Sequence, residues 1–215
     1  MTDIFNEIDE DIRRERYQKL WKAYGKYLIF GVVLFVILAA SYIAWNNYKE
    51  NIRKNEGDAF SRSIEMIENN LLNNASTSLQ SLSESSSSGY RPLSKLKNAS
   101  VLISNNKINQ GLEIYSDLVN DEKSEKIFRD LARYFIVLYT FDEVDDGKIY
   151  ENLSYLLNEE NPWYYLAKEM NGFRLIKLGK YEDAVKIFNS LSNDSNSPSG
   201  IRMRSFEILG YLKNK

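Results

Sequence analysis

Between positions 27 and 48 the chain carries no charged residue, and 27–45 reads YLIFGVVLFVILAASYIAW. A run this long and apolar approaches the ~20 residues that cross a hydrocarbon core about 30 Å thick. It predicts a single N-terminal transmembrane helix over 27–48. Trp21, Tyr24 and Tyr27 precede it and Tyr42, Trp45 and Tyr48 close it, as expected for rings at the two headgroup levels. Beyond residue 57 the pattern changes: apolar positions recur at helical spacing, with almost no strand-like alternation. Helices are predicted over 58–72, 77–84, 92–104, 108–119, 125–139, 148–157, 162–178, 181–191 and 198–212, after a polar stretch at 46–57. All three prolines fall where helices begin, and Asn161-Pro162 and Ser197-Pro198 read as a capping side chain before a first-turn proline. The SSSSG run at 85–89 reads as a loop.

Composition narrows the chemistry. With no His and no Cys, the chain has no imidazole base, thiolate or disulfide, and it lacks the side chains of zinc-finger and iron–sulfur sites. A net charge of -2 and a pI near 5.5 argue against a dedicated nucleic-acid binder. The mean hydropathy of -0.45 describes a chain of soluble character apart from its one apolar run.

Basic residues orient that run. Arg13, Arg14, Arg16, Lys19, Lys22 and Lys26 precede it, against Lys49, Arg53 and Lys54 after it, so the N-terminus is expected in the cytoplasm and the C-terminal part across the membrane, a type II single-pass topology. A cleaved signal peptide could be cut near Ala39-Ala40-Ser41, but the preceding segment is long and the apolar run continues past that point. A buried core helix of a soluble protein is seldom so long without a charge. The expected organisation is a cytoplasmic amphipathic segment (1–26), a membrane helix (27–48) and an extracytoplasmic helical domain (49–215). In the first segment Ile4, Phe5, Ile8 and Ile12 recur at helical spacing, acidic residues first and basic ones after. That pattern suits a solvated entry to the membrane or a docking surface.

Short breaks between helices imply antiparallel hairpins stacked as a solenoid. An internal comparison supports this, because 99–115 and 172–188 superimpose without gaps: Ala99 on Gly172, Gly111 on Ala184, Tyr115 on Phe188. Gly172, Leu175, Gly179, Tyr181, Ala184 and Phe188 resemble the tetratricopeptide repeat signature, which implies an all-α, right-handed solenoid of helical hairpins. In it Ala99, Gly111, Tyr115, Gly172, Tyr181, Ala184 and Phe188 would be packing residues. The pair between is weaker, with Ala132 near an expected position. With its N-terminal MTDIFNEIDEDIRRERYQKLWKAYGKYLI, the chain is similar to the YfgM-type family, an ancillary subunit of the SecYEG translocon. That resemblance implies a bacterial inner (plasma) membrane with residues 49–215 as a periplasmic domain, and translocon subunits, periplasmic chaperones or client segments as partners. A scaffold for cell division or cell-wall synthesis is the alternative.

Repeats of this type bind through the first helix of each pair. The expected groove residues are Leu93, Leu96, Ser100 and Ile103; Lys126, Arg129, Arg133 and Ile136; and Leu166, Glu169, Phe173 and Lys177. Arg129 and Arg133, one turn apart, could clamp a carboxylate. The acidic cluster Asp142, Glu143, Asp145 and Asp146 lacks the ligand spacing of a calcium loop and reads as a solvated turn. No phosphate loop, hydrolase elbow or metalloprotease helix occurs. A non-enzymatic interaction protein, without cofactor or metal, is expected.

Overall fold

A computed structural model describes residues 2–86 and 89–213, with the backbone alone for 2–13 and 15. The expectations for the side chains of Ile4, Phe5, Ile8 and Ile12, and for Ser87 and Ser88 of the serine run, lie outside the described residues. Those described form nine helices and no strand: α1 (Thr2–Glu68), α2 (Leu72–Ser85), α3 (Tyr90–Ser104), α4 (Ile108–Val119), α5 (Lys126–Thr140), α6 (Asp146–Ser154), α7 (Tyr164–Lys177), α8 (Tyr181–Asn193) and α9 (Ser199–Leu212). The chain divides into two compact units, Met1–Asn55 and Glu56–Lys215. In the first, α1 holds a segment long and apolar enough to cross a membrane, with a mean hydropathy of 2.5 over its most apolar window and no residue of that window buried.

Helix α1 continues through 46–57, where a polar break between two helices was expected. That stretch is polar but has no proline and a single glycine, and Glu50 and Lys54 pair at 2.9 Å one turn apart. Polarity there marks solvation and leaves the helix intact.

The second unit is built on one spacing. Ser63 and Ala75, Ala99 and Gly111, Val137 and Ile149, and Gly172 and Ala184 each lie twelve residues apart and are all buried. The first of each pair sits on an odd-numbered helix and the second on the following even one, so each pair marks a helical hairpin. Every even helix then buries a triplet at i, i+4 and i+7: Ala75-Leu79-Leu82, Gly111-Tyr115-Leu118, Ile149-Leu153-Leu156 (Leu156 just past α6) and Ala184-Phe188-Leu191. That periodicity is one face of a helix. Four hairpins and α9 therefore make up this unit, where the sequence offered three.

Small residues set how closely paired backbones approach. A Cβ on Gly111 would stand 2.7 Å from the Ala99 carbonyl oxygen and 2.5 Å from Ile103, and one on Gly172 would stand 2.7 Å from the Phe188 ring. In the third hairpin Val137 and Ile149 fill those places, and α5 and α6 meet less extensively than the neighbouring pairs.

Three hairpins share one turn. Asn70, Asn106 and Gly179 have φ of 60, 58 and 71°. Their N–H groups reach Ile67, Ile103 and Ile176 carbonyls at 2.9, 3.0 and 2.9 Å, while the next N–H reaches back to Met66, Leu102 and Leu175 at 2.8, 2.9 and 2.9 Å. This is the left-handed helix stop that satisfies the last carbonyls. Gly179 adopts it without strain and asparagine is the side chain that best tolerates it. The third hairpin turns instead through 141–144, and Asp145 caps α6 by accepting from the Lys148 N–H at 3.2 Å.

The prolines depart from expectation. Pro92 is the third residue of α3, Pro162 precedes α7 by two residues, and Pro198 is the N-cap of α9. All three positions are harmless because first-turn N–H groups have no intrahelical acceptor. Asn161 accepts from the Trp163 N–H at 3.0 Å, one residue before α7 begins. Ser197 does not cap α9: its hydroxyl is buried without a protein partner, and its carbonyl accepts from Arg202.

Candidate partner-binding groove

The odd helices form the inner row of the second unit. Among the described residues α3 touches α5, α5 touches α7 and α7 touches α9, while the even helices make no such contacts with one another. The row with the closer spacing lies on the concave side.

The twelve-residue spacing fixes which side chains line that row. Relative to the small or buried position on each odd helix, the groove positions lie six and three before it and one and four after it. On α3 these are Leu93, Leu96, Ser100 and Ile103; on α5, Leu131, Tyr134, Leu138 and Phe141; on α7, Leu166, Glu169, Phe173 and Ile176. On α9, taking Gly210 as the equivalent position, they are Arg204, Glu207 and Tyr211. Two contacts support the register independently. Arg204 grips Glu169 with Nε to Oε1 and Nη2 to Oε2, both at 2.8 Å. Lys177 donates to the Phe141 carbonyl, and its ammonium lies 5.2 Å from the centroid of the Phe141 ring.

On α3 this register runs through the expected residues; on α7 it passes Leu166, Glu169 and Phe173 but takes Ile176 where Lys177 was expected, and on α5 it moves. The expected set, Lys126, Arg129, Arg133 and Ile136, is displaced by five residues, because Val137 and not Ala132 occupies the pairing position. Ala132 instead packs fully buried with Leu96, Ala99, Tyr115 and Leu118. Arg133 stacks its guanidinium 4.2 Å from the Tyr155 ring, beyond α6. Arg129 has its Nε buried without a partner, and Lys126 pairs with the buried Asp130. Arg129 and Arg133 therefore do not form a clamp on the inner row.

Two other expected groove residues serve the scaffold. Leu96 is 8% exposed and belongs to the core. Glu169 is 5% exposed and holds Arg204, whose side chain stays half-exposed. The Glu169 hydrogen bonds raise the Arg204 pKa above its ordinary value. Tyr134 lies close enough to feel both charges; burial first, and the Glu169 charge second, push its phenol above the ordinary range. Leu93 and Leu138 are exposed, at 37% and 40%, with Ser100, Leu131, Phe141 and Phe173 partly so. The groove is thus mostly apolar along α3, α5 and α7, with the Glu169–Arg204 pair and the exposed Glu207 near its α9 end.

The expected packing residues Ala99, Gly111, Tyr115, Gly172, Ala184 and Phe188 are all buried. Tyr181 is not: as the first residue of α8, just past the Gly179 turn, it is 38% exposed. Sequence reading missed Tyr134, Leu138 and Arg204. The spacing between buried small residues would have found them, had it been extended from the two glycine-bearing hairpins to the others. Around the expected acidic turn, Asp145 caps α6 and Asp146 pairs with Arg174 at 2.9 Å. No group of three or more acidic side chains that could hold a metal ion occurs among the described residues.

A family model described as tetratricopeptide repeat-like domain matches residues 18–202. The chain belongs to that family. No curated protein matches the sequence. Two solved structures of nearly identical TPR-like repeats, from a Podosopora anserina chain named for kinesin light chain, are similar in fold. Each is 13% identical and covers 73% of this chain and 84% of its own, with TM-scores of 0.54 and 0.52. At that identity the likeness concerns the hairpin stack alone. Tetratricopeptide repeat-like domains are typically non-enzymatic protein–protein interaction scaffolds, a use that fits the inner row described above.

Proposed function

We propose that this chain is a membrane-anchored, non-enzymatic adaptor that captures protein segments in the groove lined by α3, α5, α7 and α9. The observation that carries this reading is the row of apolar side chains left open on the inner helices, Leu93, Leu138 and Phe173 among them, beside the fixed Glu169–Arg204 pair. A scaffold with no use for that face would cover it with polar side chains.

The anchor is the segment 27–48, with 1–26 in the cytoplasm and 49–215 in the periplasm. An unburied window of mean hydropathy 2.5 supports a span over a soluble core helix. The excess of basic residues before it supports the orientation. Tethering raises the effective concentration of the groove at the membrane, so modest intrinsic affinity suffices. The YfgM-type resemblance of the first fifty residues points to the Sec translocon and to periplasmic chaperones or clients as its setting.

Site-specific photo-crosslinking from Leu138 in cells tests this reading. Adducts with translocon subunits, periplasmic chaperones or exported clients are expected. Adducts confined to division or cell-wall enzymes would replace the translocon setting, and none at Leu138, with adducts from the even helices, would remove the groove. Protease added to spheroplasts should digest the repeat domain; protection would reverse the topology.

A further inference from the structure

We infer that the outer face of the hairpin stack carries a second peptide site, a cleft between α2 and α4 that takes an extended basic segment with cations at alternate residues. The cleft is separate from the inner groove and does not depend on it. Where α2 and α4 stand apart, α3 closes the floor of a cavity of about 530 Å³. Asn98 lies on that floor and is 3% exposed. Its Oδ1 accepts from the Ser76 hydroxyl at 2.7 Å, and its Nδ2 donates to no other group among the described residues. A buried amide costs free energy unless its hydrogen bonds are made. At the same place on α5, one residue before the pairing position, stands Ile136, so packing alone does not call for a polar group there. The amide left over at Asn98 is a donor to the cleft, and a carbonyl is what it would meet.

The walls say what carries that carbonyl. Gln80 and Glu84 line the cleft from α2, and Gln110, Glu113 and Asp117 line it from α4. Side-chain amides offer both a donor and an acceptor, which are the two groups an extended backbone presents. Glu113 and Asp117 are exposed and form no ion pair among the described residues. Both lysines of the cleft are engaged, Lys95 with Asp121 at 3.1 Å and Lys107 with Asn73 Oδ1 at 3.4 Å. The surplus charge is therefore negative and suits a cationic occupant. Spacing makes the match specific. Glu113 and Asp117 lie one turn apart, about 6 Å along the helix axis, and residues i and i+2 of an extended chain share a face at about 6.6 Å. From Asn73 to Glu84 the cleft runs about 16 Å along α2, room for about five extended residues.

The full chain in mild detergent, titrated at low salt with the peptide SKSKS, capped at both ends and carrying a neutral dye, tests this by fluorescence anisotropy. Saturable binding is expected, with the acidic counterpart SESES left free. Glu113→Gln and Asp117→Asn should each weaken binding about two- to fivefold, the range of an exposed ion pair. Ser76→Ala with Asn98→Leu should weaken it about two- to tenfold. That pair removes donor and acceptor together, so the unfolding midpoint should stay near the parent's. Glu151→Gln, exposed on α6, and Leu138→Ser, in the inner groove, should leave the affinity unchanged. The site is overturned by equal binding of SESES, by no saturable binding of SKSKS, or by undiminished affinity in the Glu113 and Asp117 double variant. Loss of binding with Leu138→Ser would move the peptide to the inner groove, and displacement by a chitooligosaccharide would make the cleft a sugar site; either result also overturns the proposal.

Discussion

The close approach of α3 and α4 makes a quantitative prediction at Gly111. In an open helix interior, Gly→Ala gains about 1 kcal/mol from backbone propensity. At Gly111 the added Cβ would stand 2.7 Å from the Ala99 carbonyl oxygen, a backbone atom, and 2.5 Å from Ile103 Cγ1. The isoleucine can turn, but the carbonyl moves only if the two helices separate, which puts the cost in the upper part of the overpacking range, about 2–3 kcal/mol. Gly111→Ala should therefore destabilise by about 1–2 kcal/mol net, lowering the melting midpoint of the repeat domain by about 2–8 °C. At Gly172 the nearest atoms to an added Cβ belong to the Phe188 ring, a side chain and not backbone, so Gly172→Ala should cost less. Gly210→Ala, with open space around its Cβ, should gain about 0.5–1 kcal/mol. The sharper test is a double substitution. The hairpins carry their small residues in opposite order, Ala99 then Gly111, and Gly172 then Ala184. Ala99→Gly with Gly111→Ala converts one order to the other, so the double variant should be more stable than the sum of the singles by at least about 0.5 kcal/mol. Far-UV circular dichroism of the full chain in detergent, with hydrogen exchange at α3 and α4, gives these values. If Gly111→Ala proves as stable as the parent, or the singles add, the close helix contact cannot be as described.

Tyr115→Phe should stabilise by about 1 kcal/mol, because the Tyr115 ring is fully buried with its hydroxyl unpaired and phenylalanine already occupies the equivalent position at 188; a lower unfolding midpoint would show an undetected partner. Arg204→Ala should loosen α9 from α7 by about 1–3 kcal/mol, since it strands the buried Glu169 carboxylate while the exposed arginine is partly screened; unchanged hydrogen exchange in α9 would contradict this. Burial opposes ionisation of Asp121, but bonds from Lys95 and Ser124 outweigh it and hold its pKa below the usual value of 3.8. A depressed folded pKa contributes stability above pH ~3.8 that is lost as pH falls below it. Asp121→Asn should flatten that acid limb of the stability profile, and a limb as steep as the parent's would assign it to other carboxylates.

The hairpins legible in the sequence were those whose helices touch most closely. Contact at backbone distance demands glycine or alanine, and the pairs Ala99–Gly111 and Gly172–Ala184 announced themselves by composition; α4 over 108–119 follows with both ends as expected. The first hairpin was harder, since Ser63 and Ala75 look like ordinary surface residues in a serine-rich stretch, although both are fully buried and Asn70 makes the same turn as Asn106. The third hairpin misled. Val137 and Ile149 carry no small-residue signal, and α6 is only nine residues long, so Ala132 was the natural anchor. Taking it rotated α5 by five residues and brought Arg129 and Arg133 to the inner face in place of Tyr134 and Leu138. The Glu169–Arg204 pair was beyond reach for another reason: its partners are 35 residues apart and meet only because α7 and α9 are neighbours in the inner row. What repeats in this fold is the distance between buried positions. Their volumes vary, from glycine to isoleucine, and the helix separation adjusts to them, so composition reveals only the tightest members while the twelve-residue interval reveals all four.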